Sequence, residues 1–200
     1  MAVVRDAELT RRKLLSAARR EFAAFGIDGA RIDRIAAQAG VNKERVYGHF
    51  GSKDALFAAA VEAALDELAE SVSKPGQDLE AWVGAVYDFH RSRSELVRLL
   101  MWESLHAREE ELPGEEKRLE RYGLKVQAMA ASLGCPAGPE AAAVLLCLIG
   151  LAAWPSAVPQ LTRQIVRPQV RSVREQDRVI RDQILQIAKH VAAGARVTSG

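Results

Sequence analysis

Little in this chain favours catalysis or secretion. Two cysteines, Cys135 and Cys147, among 200 residues exclude a disulfide framework. The four histidines, His49, His90, His106 and His190, have no companion at the spacing of a metal motif. There is no Gly-rich phosphate loop, no G-x-S-x-G elbow and no C-x-x-C. No metal or cofactor is therefore expected, and an all-helical enzyme or a metal site built from His90, His106 and Glu103 stands only as an alternative. The most apolar stretch, residues 141–154, falls short of the roughly 20 residues needed to cross a bilayer. The start lacks a secretory n-region and h-region, so the expectation is a soluble cytoplasmic protein with no membrane partner. Nor does one sign of charge dominate, with Lys+Arg 28 against Asp+Glu 26.

What is present is apolar spacing suited to helices. A hydrophobic content of 48% is ample for a packed core and argues against long disorder. No convincing strand alternation occurs, whereas helix-period spacing recurs between Gly and Pro punctuation, giving an all-α fold of about nine helices. Leu14, Ala18, Phe22 and Phe25 share one face of a first helix that Gly26 ends. Two short segments follow at 31–39 and 42–50. Ser52 then caps a long fourth helix carrying Phe57, Val61, Ala64, Leu65, Leu68 and Val72. Ser92 with Glu95, and Ser172 with Glu175, read as capping boxes for a sixth and a last helix. The eighth helix, from near Pro139, is apolar nearly all round, which implies burial against more than one neighbour.

Charge separates the two ends. The first 53 residues hold 11 Lys/Arg against 6 Asp/Glu, and the remainder 17 against 20. A basic head on a mildly acidic body fits a polyanion-binding module joined to a regulatory or oligomerising one, divided here as 1–53 and 54–200. Within the head, Gly40 supplies the positive φ that a tight turn between the two short segments needs. Small Ala36 lets the second segment approach the first, and Ile35, Val41, Val46 and Phe50 can close a small core beneath them. That is helix-turn-helix geometry. Its second helix presents Asn42, Lys43, Arg45, Tyr47 and His49, a set suited to phosphates and base edges in a major groove. The same pattern occurs in helical interaction proteins that bind no DNA, and the basic head weighs against that alternative.

Over residues 9–57 the chain resembles the amino-terminal domain of the TetR/AcrR family of bacterial transcriptional regulators. The resemblance is carried by Thr10-Arg11, Ala17-Ala18, Glu21-Phe22, Gly26, Ile35-Ala36, Ala39-Gly40-Val41, Tyr47, Phe50, Ser52-Lys53 and Leu56-Phe57. It implies a DNA-binding regulator, repressor by family bias, that grips a palindromic double-stranded operator as a homodimer and is released by a small, mostly apolar effector. It makes 42–50 the recognition helix, with Lys43 and Arg45 at base edges or phosphates, Tyr47 and His49 on phosphates, and Lys53 a phosphate contact beside a helix N-terminus. Two places depart from the family pattern. Ala30-Arg31 stands where a Thr pair often caps the second helix, so that Arg31 replaces a phosphate contact by charge but supplies no cap. Asn42-Lys43-Glu44-Arg45 replaces a smaller Ser-x-Gly/Ala-Thr, with Glu44 left either to pair with a base or to cap the helix.

A single reading head grips too little DNA for a specific site, so the body must dimerise. The expected seam is a four-helix bundle built from Leu145 and Ile149 of the eighth helix with Ile180, Ile184, Ile187 and Val191 of the last. An effector pocket is expected among the fifth to eighth helices, with Trp82, Tyr87, His90, Met101, Trp102, His106, Tyr122, Met129 and Trp154 as candidates.

Overall fold

The computed structural model describes residues 2–76, 78–106, 112 and 114–197. Among them there are ten α-helices and no strand: α1 Ala2–Gly29, α2 Ile32–Ala39, α3 Lys43–Phe50, α4 Lys53–Ser71, α5 Leu79–Ser92, α6 Glu95–His106, α7 Glu115–Leu133, α8 Pro139–Ala157, α9 Pro159–Val166 and α10 Val173–Val197. The tenth arises because Pro159 does more than disturb the eighth helix. It opens α9, followed by a short 3-10 turn at Arg167–Gln169.

The chain divides into two compact units, Met1–Leu68 with Glu95–Pro113, and Ala69–Ser94 with Gly114–Gly200. The first unit, the head, is thus larger than residues 1–53, because it takes in most of α4 and all of α6. Its core joins Leu14, Ala17, Ala18 and Phe22 of α1 to Ile35 and Ala36 of α2, Val46 of α3, and Leu56, Phe57 and Val61 of α4. Phe22 and Phe57 meet edge to face, centroids 5.2 Å apart. Val41 and Phe50 are only half-buried, and Phe25 is exposed with the Arg34 guanidinium lying 4.4 Å over its ring.

Gly26 does not end α1 but kinks it, at φ 69 and ψ −177, before one further turn. A side chain there would be strained by the backbone and would also strike Trp102, since a Cβ would fall 2.9 Å from its ring. α6 therefore packs directly on α1, where Arg98 Nε also donates to the Ala23 carbonyl at 2.7 Å. Ser92 does not cap α6. It is the last residue of α5, and its hydroxyl donates back to the Asp88 and Phe89 carbonyls, a local bond that competes with capping. The other capping box forms with one change: Ser172 accepts from the Glu175 N–H at 3.1 Å, while Glu175 accepts from the Arg171 N–H, one residue before the cap, at 2.7 Å.

In the second unit, the body, α8 packs on α5 and α7, and α5 packs on α10. Gly84 allows that last approach, because a Cβ there would fall 3.0 Å from Arg181 Nη2 and 3.1 Å from Leu185. The same two helices are laced by Arg181 on both oxygens of Asp88, by Arg91 on Asp177 at 2.5 Å and by the Tyr87 hydroxyl donating to the Asp177 carbonyl at 3.3 Å. α8 is longer than its fourteen-residue apolar heart suggested: 19 residues at a mean hydropathy of 1.7, long and apolar enough by those measures alone to cross a membrane. A stripe of Ala141, Leu145, Leu148, Ala152 and Ala153 is buried, and the rest of the helix is not.

Candidate nucleic-acid interface

The turn between α2 and α3 is built as the sequence requires. Gly40 sits at φ 71 and ψ 34, ending α2, and the Val41 N–H donates to the Ala36 carbonyl at 3.0 Å. Asn42 then caps α3, its Oδ1 accepting from the Arg45 N–H at 3.0 Å. Asn42 rather than Glu44 is therefore the cap, and Glu44 sits in the first turn. Val46 is buried as the anchor of α3, and Lys43, Glu44, Arg45 and Tyr47 project into solvent, with His49 half-buried.

The exposed cations are not loose. Lys43 Nζ lies 3.1 Å from Asp33 Oδ1, and that hydrogen bond raises the ammonium's pKa above its ordinary value. Arg45 stands 4.0 Å from Asp6 of α1. Lys53, at the start of α4, donates to the Asp28 carbonyl at 3.3 Å, beside the N-terminus that Ser52 caps through the Ala55 N–H. Arg31 precedes α2 with extended backbone and offers no side-chain cap, and its own side chain is exposed. These contacts are between exposed groups, so they orient side chains more than they stabilise the fold.

The missing cap on α2 is replaced by a residue that sequence reading noticed only as part of a motif. Glu21 is 2% exposed. Its Oε1 accepts from the Arg31 N–H at 3.0 Å and from Arg34 Nε at 2.6 Å, while Arg34 also donates to the Gly29 carbonyl. One buried carboxylate thus satisfies the start of α2 and pins it to α1. Arg11 was also missed as part of the surface; its guanidinium lies 5.4 Å over the Phe50 ring at the end of α3. The first helix of the head carried the signal in Arg11 and Asp6, but helical spacing alone does not say which residues of α1 reach α3.

The candidate pocket residues fall into separate places. Trp82 and Tyr87 are buried in α5 and their polar ends are already used, Trp82 Nε1 donating to the Ser73 carbonyl at 3.0 Å and Tyr87 to Asp177. Burial and the nearby Asp177 push the Tyr87 phenol up to about 12. His90 and Met129 are buried, and Tyr122 is at the exposed edge of α7. Met101, Trp102 and His106 belong to α6, in the head rather than the body, with Trp102 packed on Gly26. Trp154 is 56% exposed on the open face of α8. There it lines a groove of about 610 Å³ with Cys147, Leu151, Val179, Ile180 and Ile187. Of the seam residues, Leu145 and Ile184 are buried within the body's own core, Ile149, Ile180 and Val191 are half-buried, and Ile187 is exposed. Leu146, 71% exposed, extends the same open face. Among the described residues no cluster of three His, Cys, Asp or Glu side chains is placed to hold a metal ion.

A rigid helix-turn-helix whose second helix projects cations and polar side chains, carried on an all-helical body, defines a DNA-binding transcriptional regulator. Comparison with known proteins gives its family. Residues 14–60 match the model for bacterial regulatory proteins of the tetR family, and residues 78–189 match the tetracyclin repressor-like C-terminal domain. The chain is 41% identical over 167 residues to the HTH-type transcriptional repressor SCO4008 of Streptomyces coelicolor, covering 81% of this chain and 86% of that one. It is 32% identical to the repressor NicS of Pseudomonas putida over about half of each chain. Among solved structures, the regulator SCO4942 of Streptomyces coelicolor superposes with a TM-score of 0.71 at 29% identity, over 89% of this chain and 97% of that one. AibR, solved with isovaleryl coenzyme A and operator DNA, shares the fold at a TM-score of 0.65 and 20% identity, over 89% and 97%. The chain belongs to the TetR family of transcriptional regulators, proteins that bind DNA and small-molecule effectors, and it is not an enzyme.

Proposed function

We propose that this protein is a cytoplasmic repressor that grips a palindromic operator as a homodimer and releases it when a small molecule binds the body. The observation that carries the reading is the exposed face of α3: Lys43, Arg45 and Tyr47 stand free of the core on a helix fixed by the Asn42 cap and the Gly40 turn. Lys43 and Arg45 read base edges. Tyr47, His49, Lys53 and Arg31 hold phosphates and set register without carrying sequence information. Asn42 contributes its remaining amide N–H groups beside the cap.

The second copy is supported by the open apolar face of α8 and α10. Leu146, Trp154 and Ile187 are too large and too exposed for a finished surface, and they lie where a two-fold four-helix bundle would cover them. Leu145 and Ile184 back that seam from inside each protomer. Repression rather than activation follows the names of the relatives SCO4008 and NicS. Release acts by population shift, the effector favouring a separation of the two heads that no longer matches successive major grooves.

The test is selection of random duplex DNA by the purified protein at physiological salt. A retained palindrome bound on the order of 10⁻⁸ to 10⁻¹¹ M is the expected result. Retention without sequence preference, or enrichment of a single unrepeated half-site, overturns the dimeric reader.

A further inference from the structure

Both cations of the recognition helix meet a carboxylate that another helix supplies. Lys43 Nζ lies 3.1 Å from Asp33 Oδ1 of α2, and Arg45 Nη2 lies 4.0 Å from Asp6 Oδ2 of α1. No other Lys or Arg stands on α3. Asp6 reaches this place through the register of α1. It comes four and eight residues before Thr10 and Leu14, both buried, so it shares their face and continues it one turn past the core, alongside α3. Arg11 joins the same stretch of α1 to α3 a second time, its guanidinium 5.4 Å over the Phe50 ring. The two ion pairs are open to solvent, with side-chain exposures of 47% and 71% for Lys43 and Asp33 and of 52% and 72% for Arg45 and Asp6. Pairs this exposed add little to folding, so what the carboxylates change is how the cations meet DNA.

On a random duplex, affinity comes from mobile cations that follow the phosphates and release counterions. A cation beside a carboxylate is partly neutralised, and the carboxylate is itself repelled by the strand, so the pair contributes less of that affinity. A base edge rewards the same arrangement. Guanine offers O6 and N7 at fixed positions in the major groove, and a side chain already held in one direction takes them with less further ordering. We infer that Asp6 and Asp33 are specificity-determining positioning residues, one from α1 and one from α2, which hold Arg45 and Lys43 off the phosphates and aimed at base edges. This rests on the DNA-binding reading above, which assigns the two cations to base edges but gives α1 no part in selecting the sequence.

The experiment uses the full chain, the palindrome retained in the selection above and a random duplex of the same length. Fluorescence anisotropy over a range of salt gives both affinities for the native chain, for Asp6→Asn, for Arg45→Ala and for the two combined. Asp6→Asn should bind random duplex about threefold more tightly, with a salt slope steeper by about 1 for each head, and should gain nothing on the palindrome. The ratio of specific to random binding then falls about threefold. In the Arg45→Ala background the same substitution should change neither affinity, which separates an action through Arg45 from plain repulsion between Asp6 and the strand. Asp6→Glu keeps the charge and should restore most of the ratio, and Asp6→Asn with Asp33→Asn should lower it about tenfold as the two losses add. A ratio unchanged in Asp6→Asn, or a change of the same size with Arg45 already removed, overturns the inference and leaves the DNA-binding reading standing. A native chain that retains no palindrome strikes that reading first, and the inference falls with it.

Discussion

The head and the body handle charge and apolar surface in opposite ways. In the head, apolar side chains close inward on Phe22, Ile35 and Val46, and cations point out: Lys43 beside Asp33, Arg45 beside Asp6, Lys53 on the Asp28 carbonyl. In the body the open face of α8 is apolar, with Leu146 and Trp154 in solvent, while Lys125 is half-buried with its ammonium over the Tyr122 ring. The head is complete on its own and waits only for a polyanion. The body leaves a large apolar face in solvent. The proposed second copy would cover it.

Covering the outside matters most. Leu146→Asp combined with Trp154→Asp puts charge into the proposed seam without touching the core stripe of α8. Sedimentation should show a monomer, and operator affinity should fall by about a thousandfold, toward the non-specific level of a single head. A dimer that survives both substitutions would move the seam elsewhere and undo the contrast between finished head and unfinished body.

The inside of the body titrates. Burial first, then Lys125, lowers the His90 imidazole from its ordinary 6.5 to about 4. The charged group that adds to burial at this ring is Lys125 of α7, a cation. The unfolded chain takes up the proton near 6.5 and the folded one only near 4, so the unfolded state holds more protons in between. Stability should therefore be full above pH 6.5 and decline as pH falls toward 4, by up to about 3 kcal/mol at the lower end. Chemical denaturation across that window checks it, and His90→Leu should flatten this part of the slope. An unchanged slope in His90→Leu would mean the imidazole is solvated.

Much of the head was legible from the chain because its determinants are local. Gly40 announces the turn, Asn42 the cap, and the period of Leu14, Ala18 and Phe22 the buried face. What escaped depends on partners far away in sequence. Amphipathic spacing shows that α6 has an inner face but not which helix it meets, so Trp102 read as a pocket residue when it packs on Gly26. The Ser92 and Glu95 pair has the pattern of a capping box, yet the hydroxyl finds closer carbonyls behind it. In the body, a seam read by period alone gave Leu145 and Ile184 beside Ile187, because period does not tell a stripe facing the protein's own core from one facing another copy.

Glu21 is where the self-sufficiency of the head can be broken without touching the DNA face. Glu21→Ala leaves the Arg31 N–H and the Arg34 guanidinium without their acceptor. Arg34 is partly exposed and water can recover some of the loss, so about 2 kcal/mol of head stability should go, read as a lower midpoint in thermal unfolding. Glu21→Gln keeps one acceptor oxygen and should cost less. If both variants unfold like the native chain, the start of α2 is held by packing alone.

The smallest effects should separate readers from clamps on the outer face. Lys53→Ala removes a phosphate contact and should weaken binding to all sequences alike, reducing the salt slope by about 1. Lys43→Ala should instead change which base is preferred at one position of each half-site, at a cost of about 1 kcal/mol on the native operator. Asp33 gives the sharper version of this test. While its carboxylate holds the Lys43 ammonium at 3.1 Å, the side chain is kept in one direction; in Asp33→Asn it is free to reach any nearby phosphate. The variant should then bind random duplex slightly better and discriminate its operator slightly less, because a mobile cation follows the backbone and a tethered one is fixed in aim. If Asp33→Asn leaves the selected sequence and the ratio of specific to random binding unchanged, the tether has no part in reading, and Lys43 joins Lys53 among the clamps.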